Sequence, residues 1–368
     1  MTTIQDVARE AEVSVSTVSN VLNGRSDRMR AATLARVEAA IAALKFRPSK
    51  SAQQLKTGQT PLLGLLVPSM ANPMYGFIAR EVETFAQERF GYRLLIGSTY
   101  RDATKEAAFF EDLRAHGVRN VIVISSLSEE SHLDAAVAQG LNVMSYDRRA
   151  ARGRPSAVGH MTPDNREAAS MATAHLIAHG HTRLAFVTVA GMTMSRSDKI
   201  AGFFAAAETA GLRGSAQVLD GGPLNEYGDS VIAEVGRATG LQLARDPKRP
   251  TGIVALNDLM ALGLMAGLRE GGLRVPQDVS IVGIDGLFLA ALSNPTLTTV
   301  QLPIREMARA MVEQVMQAGS GAASQARERV FAGVRLIERE SVAAPPASAR
   351  GRAARPSQQP TKRPEAKP

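Results

Sequence analysis

Three histidines have the residue type and spacing that could hold a metal ion. His175 and His179 stand four residues apart, so a helix would place both on one face, and His181 follows closely. A zinc site needs three or four ligands, but the chain offers no acidic partner at a suitable spacing and no cysteine. The stretch is more typical of a helix that ends at Gly180, so the sequence predicts no metal and no other cofactor.

Covalent catalysis is poorly supported by the residue types. A chain without cysteine has no thiolate nucleophile. No Ser/His/Asp arrangement can be assembled from the spacing, although distant residues can meet in a fold. Glycine pairs such as Gly271-Gly272 are typical of loops rather than of phosphate-binding turns. We therefore expect a binding protein and not an enzyme.

Basic side chains are concentrated at the two ends of the 368-residue chain. Residues 1–60 carry nine Lys and Arg against five Asp and Glu, and residues 343–368 carry six against one. The total charge is +8, so the long middle is close to neutral. This asymmetry favours a nucleic-acid-binding end. The alternative, that basic ends only aid solubility, fits the C-terminal end better than the N-terminal one.

Three short helices would position the basic residues of the N-terminal end. Apolar residues recur at helical spacing within residues 4–11, 18–22 and 37–44. Val13 and Ser14 form a turn between the first two stretches, and Ser14 or Ser16 can cap the second helix. Two helices joined by a short turn and supported by a third form a helix-turn-helix unit, whose second helix enters the DNA major groove. A helical bundle that does not bind DNA is the alternative.

The long middle of the chain alternates between short apolar runs and longer amphipathic stretches. The apolar runs are Leu62–Val67, Tyr92–Gly97, Asn120–Ser125, Leu141–Tyr146, Arg183–Val189, Gln217–Asp220, Gly252–Leu256 and Ser280–Ile284. Repetition of strand and helix predicts parallel sheets with crossover helices, and about ten strands are too many for one sheet. We therefore expect an α/β fold, with a helix-turn-helix head and two doubly wound parallel-sheet subdomains around a ligand cleft.

Neither end of the chain carries an export or membrane pattern. The N-terminus lacks a basic-then-apolar segment, and no apolar run reaches about 18 residues. A cytoplasmic protein without a membrane partner is the expectation. Residues 343–368 are rich in Pro, Ala and Arg without apolar periodicity, which predicts a disordered basic tail.

The order and spacing of several segments resemble the lac-repressor-type (LacI/GalR) family of transcription regulators. The segments of the head and hinge are TIQDVAREAEVSVSTVSNVLNGR and LARVEAAIAALKFRPSKSAQQLKTG. Those of the body are LLGLLVPSMANPMYGFIAREVE, Asp147-Arg148, PDNREAASMATAHLIAHGH, Gly202-Phe203, ALNDLMALGLM, VPQDVSIVGIDG, NPTLTTVQLP and LIERES. The resemblance implies a homodimer with a periplasmic-binding-protein-like body. It divides the chain into a head (1–47), a hinge (48–60), an effector-binding and dimerisation body (61–342) and a tail (343–368).

The resemblance assigns DNA contacts to the second helix of the head. Val15, Ser16 and Asn20 occupy the positions that meet base edges in similar proteins. Val15 can pack on a thymine methyl group, Ser16 can donate or accept a hydrogen bond, and Asn20 can pair with adenine. Thr17 and Ser19 are better placed for phosphates, which position a protein on DNA without specifying the sequence.

The residues from Arg47 to Leu55 join the head to the body. Pro48 ends the preceding helix, and Ser49 can cap a new one that is too short to be stable alone. In similar proteins two such helices, one from each subunit, form together on DNA and lie in its minor groove. The resemblance then implies that Leu55 wedges into a central base step and that Ala52 packs near the groove floor. A flexible linker is the alternative.

For a small-molecule effector, the resemblance points to polar and apolar residues near the ends of predicted strands. They are Asn72, Met74, Tyr75, Asp147, Asp164, Lys199, Asn257, Asp258 and Asp285. Carboxylates and amides suit the hydroxyl groups of a sugar, sugar acid or nucleoside-like ligand, and Tyr75 and Phe288 could offer apolar faces. Helix capping and turn formation are the alternative roles for Asp147, Asp164 and Asp258.

Four residues depart from the family pattern. Asn20 stands where many relatives have Arg, and Glu12 replaces a turn glycine, which would cost about 1 kcal/mol if its backbone is left-handed. Lys199 replaces a usual Arg and so lacks the planar fork for bidentate contacts, and Leu302 replaces a frequent Gln. These departures predict an altered operator sequence and an altered effector.

The sequence therefore predicts an effector-responsive transcriptional repressor that binds double-stranded palindromic operator DNA as a dimer. One alternative is a solute-binding protein with the same body fold, which the missing export segment and the basic head oppose. Another alternative is an enzyme with a Rossmann-like body, for which the chain offers no catalytic constellation.

Overall fold

The computed structural model describes residues 2–22, 29–46, 61–124, 127, 131–149, 157–191, 193–222, 231–318 and 328–347. The chain divides into two compact units, an N-terminal unit (Met1–Thr60) and a body (Pro61–Pro368). Within the described ranges, every helix is too short or too polar to cross a lipid bilayer. The predicted disordered tail begins too early at residue 343, because Ala343 is hydrogen-bonded to Ser280, and from residue 348 onward that tail lies outside the described residues.

Three helices form the described part of the N-terminal unit. They are α1 (Ile4–Glu10), α2 (Val15–Leu22) and α3 (Ala31–Ala43). Helix α1 begins with a capping box, in which Thr3 and Asp6 each accept a hydrogen bond from the backbone N–H of the other. The apolar faces of the three helices meet in a small core in which Val7, Val18 and Val37 have no exposed surface. The predicted helix-turn-helix unit is confirmed.

The turn between α1 and α2 passes through Glu12, whose φ of 52° lies in the left-handed region. A non-glycine residue there costs about 1 kcal/mol. The Glu12 carboxylate lies 3.7 Å from the guanidinium of Arg36, and both side chains are exposed. An exposed ion pair contributes little to stability, so it only partly offsets the backbone cost. The turn forms despite the departure from glycine.

Replacement of Glu12 by glycine is therefore expected to stabilise the N-terminal unit. Glu12→Gly should raise its free energy of unfolding by about 0.5–1 kcal/mol, because glycine adopts a positive φ without steric cost. Amide hydrogen exchange of α1, α2 and α3 in the full chain measures this local stability. Glu12→Gln is the control, since it removes the charge and keeps the strained backbone. Faster exchange in Glu12→Gly than in the wild type would contradict the assignment.

The body contains two six-stranded sheets in its described residues. The first sheet has the order β2-β1-β3-β4-β5-β11 and is parallel throughout. Its strands are β1 (Leu62–Val67), β2 (Arg93–Ser98), β3 (Asn120–Ile124), β4 (Asn142–Tyr146), β5 (Gly159–Pro163) and β11 (Glu328–Phe331). Apolar clusters lie on both faces of this sheet, which explains why most of its strands are continuous apolar runs.

The second sheet has the order β7-β6-β8-β9-β10-β12. Its strands are β6 (Leu184–Thr188), β7 (Ala216–Asp220), β8 (Gly252–Ala255), β9 (Ser280–Asp285), β10 (Thr298–Gln301) and β12 (Arg335–Ile337). Only the pair of β10 and β12 is antiparallel among the described strands of this sheet. The predicted pair of parallel sheets is thus confirmed, with one antiparallel edge.

Helices cover both sheets. Those on the first sheet are α4 (Pro73–Phe90), α5 (Ala103–Ala115), α6 (Ser131–Ala138) and α11 (Ile304–Ala318). Those on the second sheet are α7 (Asn165–Ala178), α8 (Met194–Thr209), α9 (Ile232–Arg245) and α10 (Asp258–Glu270). Two short 3-10 turns are Arg213–Ser215 and Phe288–Ala291. Separate apolar clusters form on the two faces of the first sheet, as a doubly wound fold requires.

The chain passes between the two sheets three times. Strand β5 of the first sheet leads into α7 on the second, β10 of the second leads into α11 on the first, and β11 leads into β12. The expectation of about ten strands was too low, since the described residues form twelve. The strands without a matching apolar run, β5, β10, β11 and β12, are short, and β5 buries polar residues such as His160.

Helices α9 and α10 approach each other so closely that their backbones are in contact. The contact is made at glycines that recur every fourth residue: Gly236, Gly240, Gly263 and Gly267. A Cβ atom added to Gly263 would lie 2.0 Å from the carbonyl oxygen of Ala233. No side chain fits at such a distance, so glycine is required for this packing.

The segment that follows β12, residues 341–343, is hydrogen-bonded to the second sheet. The Ser341 carbonyl accepts a hydrogen bond from the N–H of Ile281 at 3.0 Å, and the Ser280 hydroxyl lies 3.1 Å from the Ala343 carbonyl oxygen. His181, which is fully buried, donates from Nε2 to the same carbonyl at 2.9 Å. Its Nδ1 atom lies 3.0 Å from the Thr251 hydroxyl, which donates to it when the imidazole is neutral.

A fall in pH should reduce the contribution of these His181 hydrogen bonds to the stability of the body. Burial is the largest cause that lowers the pKa of His181, from 6.5 to about 4. The folded state disfavours the protonated ring, so the contribution of His181 to stability is complete above pH 6.5 and is lost as the pH falls towards 4. In urea denaturation at several pH values, His181→Gln should lose less stability than the wild type over this interval. Equal losses in the two proteins would refute the burial of a neutral His181.

Candidate functional site

The exposed face of α2 carries the residues that were predicted to read DNA. Ser14 caps the helix, because its Oγ accepts a hydrogen bond from the Thr17 N–H at 3.2 Å. Val15, Ser16 and Asn20 are exposed, whereas Val18 on the opposite face is fully buried. Ser16 is therefore not needed as the cap, and its side chain remains at the surface.

Three hydroxyl groups are clustered at the start of α2. The Ser14 Oγ lies 2.7 Å from the Ser16 Oγ and 2.9 Å from the Thr17 Oγ1. Thr17 and Ser19, the predicted phosphate contacts, are half-buried beside the exposed face. The first turn of α2 thus presents polar and apolar side chains of different chemistry on one small surface.

The predicted minor-groove contacts Ser49, Ala52 and Leu55 all lie outside the described residues. Their roles stay predictions.

The body brings several predicted effector residues together around Tyr146, the last residue of β4. Burial raises the pKa of Tyr146 well above 10, and the nearby Asp147, Asp285 and Tyr75 add to the shift. Asp147 follows β4 of the first sheet, whereas Asp285 ends β9 of the second sheet. The carboxyl ends of strands from both sheets therefore meet at this point.

Asp147 connects the two sheets. Burial raises the pKa of its carboxyl group, while the Lys199 ammonium and hydrogen bonds from Ser195 and Asn165 oppose the shift. The Asn165 amide donates to the Asp147 Oδ1 at 2.9 Å. The backbone of Asp147 is left-handed, with a φ of 63°. A carboxylate held in this way is suited to accept hydrogen bonds from ligand hydroxyl groups.

Lys199 supplies a buried positive charge to this site. The residue lies on α8 and is only 8% exposed. Its Nζ donates to the carbonyl oxygen of Leu256 at 3.2 Å, at the end of β8. An ammonium has three donors, so further donors can serve Asp147 and a ligand. Asp285, which is also 8% exposed, has an unusual φ of 135°.

Three other predicted effector residues act as helix caps. Asn72 accepts a hydrogen bond from the N–H of Met74 at 3.0 Å and begins α4. Asn257 caps α10, and Asp164 caps α7 by accepting from the N–H of Glu167 at 2.9 Å. The alternative of capping, left open for Asp164 by the sequence, is what the structure shows. Met74 itself is almost fully buried.

Asp258 occupies an interior position in the first turn of α10. It has no exposed surface, and burial raises its pKa to about 6. Its Oδ2 accepts from the N–H of Leu287 at 2.7 Å, and its Oδ1 accepts from the Thr299 hydroxyl. These contacts give Asp258 a structural role, but not the capping or turn role named as its alternative, since Asn257 caps the helix and both Asp258 oxygens accept hydrogen bonds from distant segments.

Sequence reasoning missed several polar contacts around this site. Arg149 and Asp198 form an ion pair of 3.2 Å that joins the loop after β4 to α8, so it links the two sheets. The Arg101 guanidinium donates to the Tyr75 hydroxyl at 3.4 Å. Such residues carry no local signal in the sequence, because isolated charged residues in loops and on helices are usually exposed to solvent.

Within the described ranges, no group of three His, Cys, Asp or Glu side chains could hold a metal ion. His175 and His179 lie with their rings 4.5 Å apart, and the His179 ring contacts the His175 carbonyl oxygen at 2.9 Å. His181 instead holds the C-terminal segment described above. The three histidines thus have structural contacts that account for their positions.

Comparison with known proteins finds a family match in each of the two units. Residues 3–49 match the bacterial regulatory proteins of the lacI family, and residues 173–342 match the periplasmic binding protein-like domain. The chain is 31% identical over 322 residues to the HTH-type transcriptional repressor PurR of Aliivibrio fischeri (strain ATCC 700601 / ES114). That similarity covers 86% of this chain and 91% of PurR.

Solved structures agree with this assignment. The lac repressor dimer bound to operator and the anti-inducer ONPF matches with a TM-score of 0.77 and 25% identity, over 93% of this chain and 99% of that chain. A complex of the transcriptional regulator CelR with cellobiose matches with a TM-score of 0.65 and 26% identity, over 93% and 100% of the two chains. These relatives are transcriptional regulators and not enzymes. With its helix-turn-helix unit and two-sheet body, the chain belongs to the LacI family of bacterial regulatory proteins.

Proposed function

We propose that the protein is a sequence-specific repressor that binds a palindromic operator as a homodimer and responds to a small-molecule effector. The observation that carries the proposal is the exposed face of α2, where Val15, Ser16 and Asn20 are displayed above the buried Val18. A helix of this kind places its first residues against base edges in the major groove. Half-buried Thr17 and Ser19 would contact phosphates on either side.

The effector would be a sugar, sugar acid or nucleoside-like molecule bound near Tyr146. Asp147 and Asp285 offer acceptors, Lys199 offers donors, and Tyr75 offers an aromatic face with a polar edge. Phe288 follows Asp285 by three residues and is 68% exposed, so it can add a second apolar face. The cellobiose bound by CelR supports a ligand rich in hydroxyl groups.

The second copy would dock on a groove of mixed chemistry at one end of α10. The groove has a volume of about 460 Å³. Its apolar lining includes Leu262, Met265, Leu273, Val275 and Pro295, and its polar lining is Arg269, Arg274, Gln277, Ser293 and Asn294. Leu292, which precedes the lining residue Ser293, is 74% exposed and adds apolar surface next to the groove. The dimer described for the lac repressor supports a copy of the same chain as the occupant.

The response to effector would come from a change in the relation of the two sheets. Asp147 with Lys199 and Arg149 with Asp198 both link the first sheet to α8 on the second. A ligand that competes for Asp147 and Lys199 binds one arrangement of the sheets better than another, and so shifts their equilibrium. Through the hinges of a dimer, that shift would alter affinity for the operator.

The function is tested by DNA binding of the purified full chain. The protein should prefer a palindrome near its own gene over random DNA, and its affinity should fall as salt rises because phosphate contacts release counterions. A thermal-shift screen of sugars, sugar acids and nucleosides should find a ligand, since binding to the folded state raises stability. Equal affinity for the palindrome and random DNA would exclude a specific operator-binding role.

Two substitutions should separate DNA binding from effector binding. Leu55→Ala removes the proposed minor-groove wedge, so it should weaken operator binding and DNA bending and spare effector binding. Asp285→Ala removes an acceptor from the effector site, so it should spare operator binding and blunt the effector response. Electrophoretic mobility shifts with and without effector measure both properties. Unchanged operator affinity and bending in Leu55→Ala would show that the hinge assignment is wrong.

A further inference from the structure

The hydroxyl cluster at the start of α2 limits which of its hydroxyl groups can donate a hydrogen bond and which can only accept one. The Ser14 Oγ is the centre of the cluster: it accepts from the Thr17 N–H and lies within hydrogen-bond distance of the Ser16 and Thr17 hydroxyl oxygens. A serine hydroxyl has one proton to donate and two lone pairs that accept. The number of partners at Ser14 therefore limits which of the three hydroxyl groups can donate.

One lone pair of Ser14 is occupied by the Thr17 N–H, at 3.2 Å. If the Ser16 and Thr17 hydroxyls both donated to Ser14, its oxygen would accept three hydrogen bonds with two lone pairs. Ser14 has a single proton, so it cannot donate to both of them either. One of the two hydroxyls must donate to Ser14, and the other must accept from it.

The choice between the two arrangements follows from the proposed contact of Thr17 with a phosphate, so this inference rests on the proposed function. Phosphate oxygens only accept hydrogen bonds, so the Thr17 hydroxyl must point its proton at the DNA. It can then only accept from Ser14, at 2.9 Å. Ser16 is left to donate its own proton to Ser14, at 2.7 Å, and has only lone pairs to offer outward.

We infer that Ser16 meets the DNA as a hydrogen-bond acceptor and reads an exocyclic amino group, the N6 of adenine or the N4 of cytosine. These are the hydrogen-bond donors that bases display in the major groove, whereas N7, O6 and O4 are acceptors. Ser14 is then a positioning residue, which acts on specificity through Ser16. Ser16 can reach a base edge because its side chain is exposed on the same face of α2 as Val15 and Asn20.

The first test locates the base that Ser16 reads. Full-length wild-type and Ser16→Ala proteins are used to select duplexes from a library randomised over about twenty base pairs, the span of two adjacent half-sites. The base pair whose preference is lost in Ser16→Ala is the coupled pair. A wild type that selects no sequence would overturn the proposed function and this inference with it. A selective wild type whose profile matches that of Ser16→Ala would overturn the inference alone.

The second test removes single functional groups from the coupled pair. Replacing its adenine by purine, or its cytosine by 2-pyrimidinone, deletes the amino group. Wild-type affinity should fall about fivefold more than that of Ser16→Ala, which is the effect of one hydrogen bond. The control deletes the carbonyl oxygen of the partner base, by replacing guanine with 2-aminopurine in a cytosine–guanine pair or thymine with 5-methyl-2-pyrimidinone in an adenine–thymine pair. This deletion should affect both proteins equally. Coupling of Ser16 to the carbonyl instead of the amino group would overturn the inference.

A third variant checks the path through Ser14. Thr17→Val keeps the shape of the side chain and removes its hydroxyl, so the proton of Ser14 can turn to Ser16, which can then donate to DNA. This variant should bind all sequences more weakly and show a broader preference at the coupled pair. Thr17→Ser restores the hydroxyl and should restore the preference. An unchanged preference in Thr17→Val would show that the cluster does not set the polarity of Ser16.

Discussion

Gly263→Ala is expected to lower the free energy of unfolding of the body by about 3 kcal/mol, at the upper end of what overpacking costs. The new Cβ would stand 2.0 Å from the carbonyl oxygen of Ala233, which belongs to the backbone of α9 and cannot rotate away. The two helices must separate, and apolar contacts along their length are then lost. Urea denaturation followed by circular dichroism measures the change.

Gly76→Ala is the matched control for this substitution. Gly76 also lies inside a helix, α4, but a Cβ atom there would meet nothing within 4 Å. Alanine should therefore stabilise the body by about 0.5–1 kcal/mol, because it loses less backbone freedom on folding. If Gly263→Ala unfolds at the same urea concentration as the wild type, the close approach of α9 and α10 is incorrect.

Asn20→Arg is expected to change the preferred base at one position of each half-site from adenine to guanine. The asparagine amide matches the N6 and N7 atoms of adenine, whereas the arginine fork matches the O6 and N7 atoms of guanine. Each such pairing discriminates by about 1–3 kcal/mol, which corresponds to roughly 5- to 150-fold in affinity. Asn20 is exposed on α2, so the substitution should not disturb the core formed by Val18.

The measurement is the affinity of both proteins for operators that differ only at the base pair whose preference is lost in Asn20→Ala. Asn20→Ala is the control, since it should lose the adenine preference and acquire no other. Affinity for random DNA, measured at the same salt concentration, should be little changed by Asn20→Ala and should rise modestly with the added charge of arginine. A wild type and an Asn20→Arg variant with the same base preference would remove Asn20 from the reading face.

The fold could be predicted well where burial leaves a pattern in the sequence. The run Leu62–Val67 coincides with β1, because a parallel strand covered on both faces is apolar throughout. Strand β5 could not be found in this way, since His160 and Thr162 are polar and yet buried. Strand β12, with three residues, is too short to form a pattern.

The candidate site could be predicted only in part from the sequence. Family resemblance pointed to Asp147, Lys199 and Asp285, and the structure places Asp147 with Lys199 and both carboxylates near Tyr146. The resemblance did not distinguish these three residues from Asp258, whose carboxylate oxygens accept hydrogen bonds from Leu287 and Thr299 inside the fold. The pair of Arg149 and Asp198 depends on the approach of distant segments, which spacing along one chain does not reveal.

The three passages of the chain between the sheets have a consequence for synthesis on the ribosome. Strands β11 and β12 occupy one edge of each sheet and are the last two strands of the described chain. Until they emerge, β5 and β10 are open edges whose backbone groups can pair with those of other nascent chains. Neither half of the body can complete its folding early, so the risk of aggregation persists almost to the end of translation. A truncation before Glu328 would expose both sheets at once.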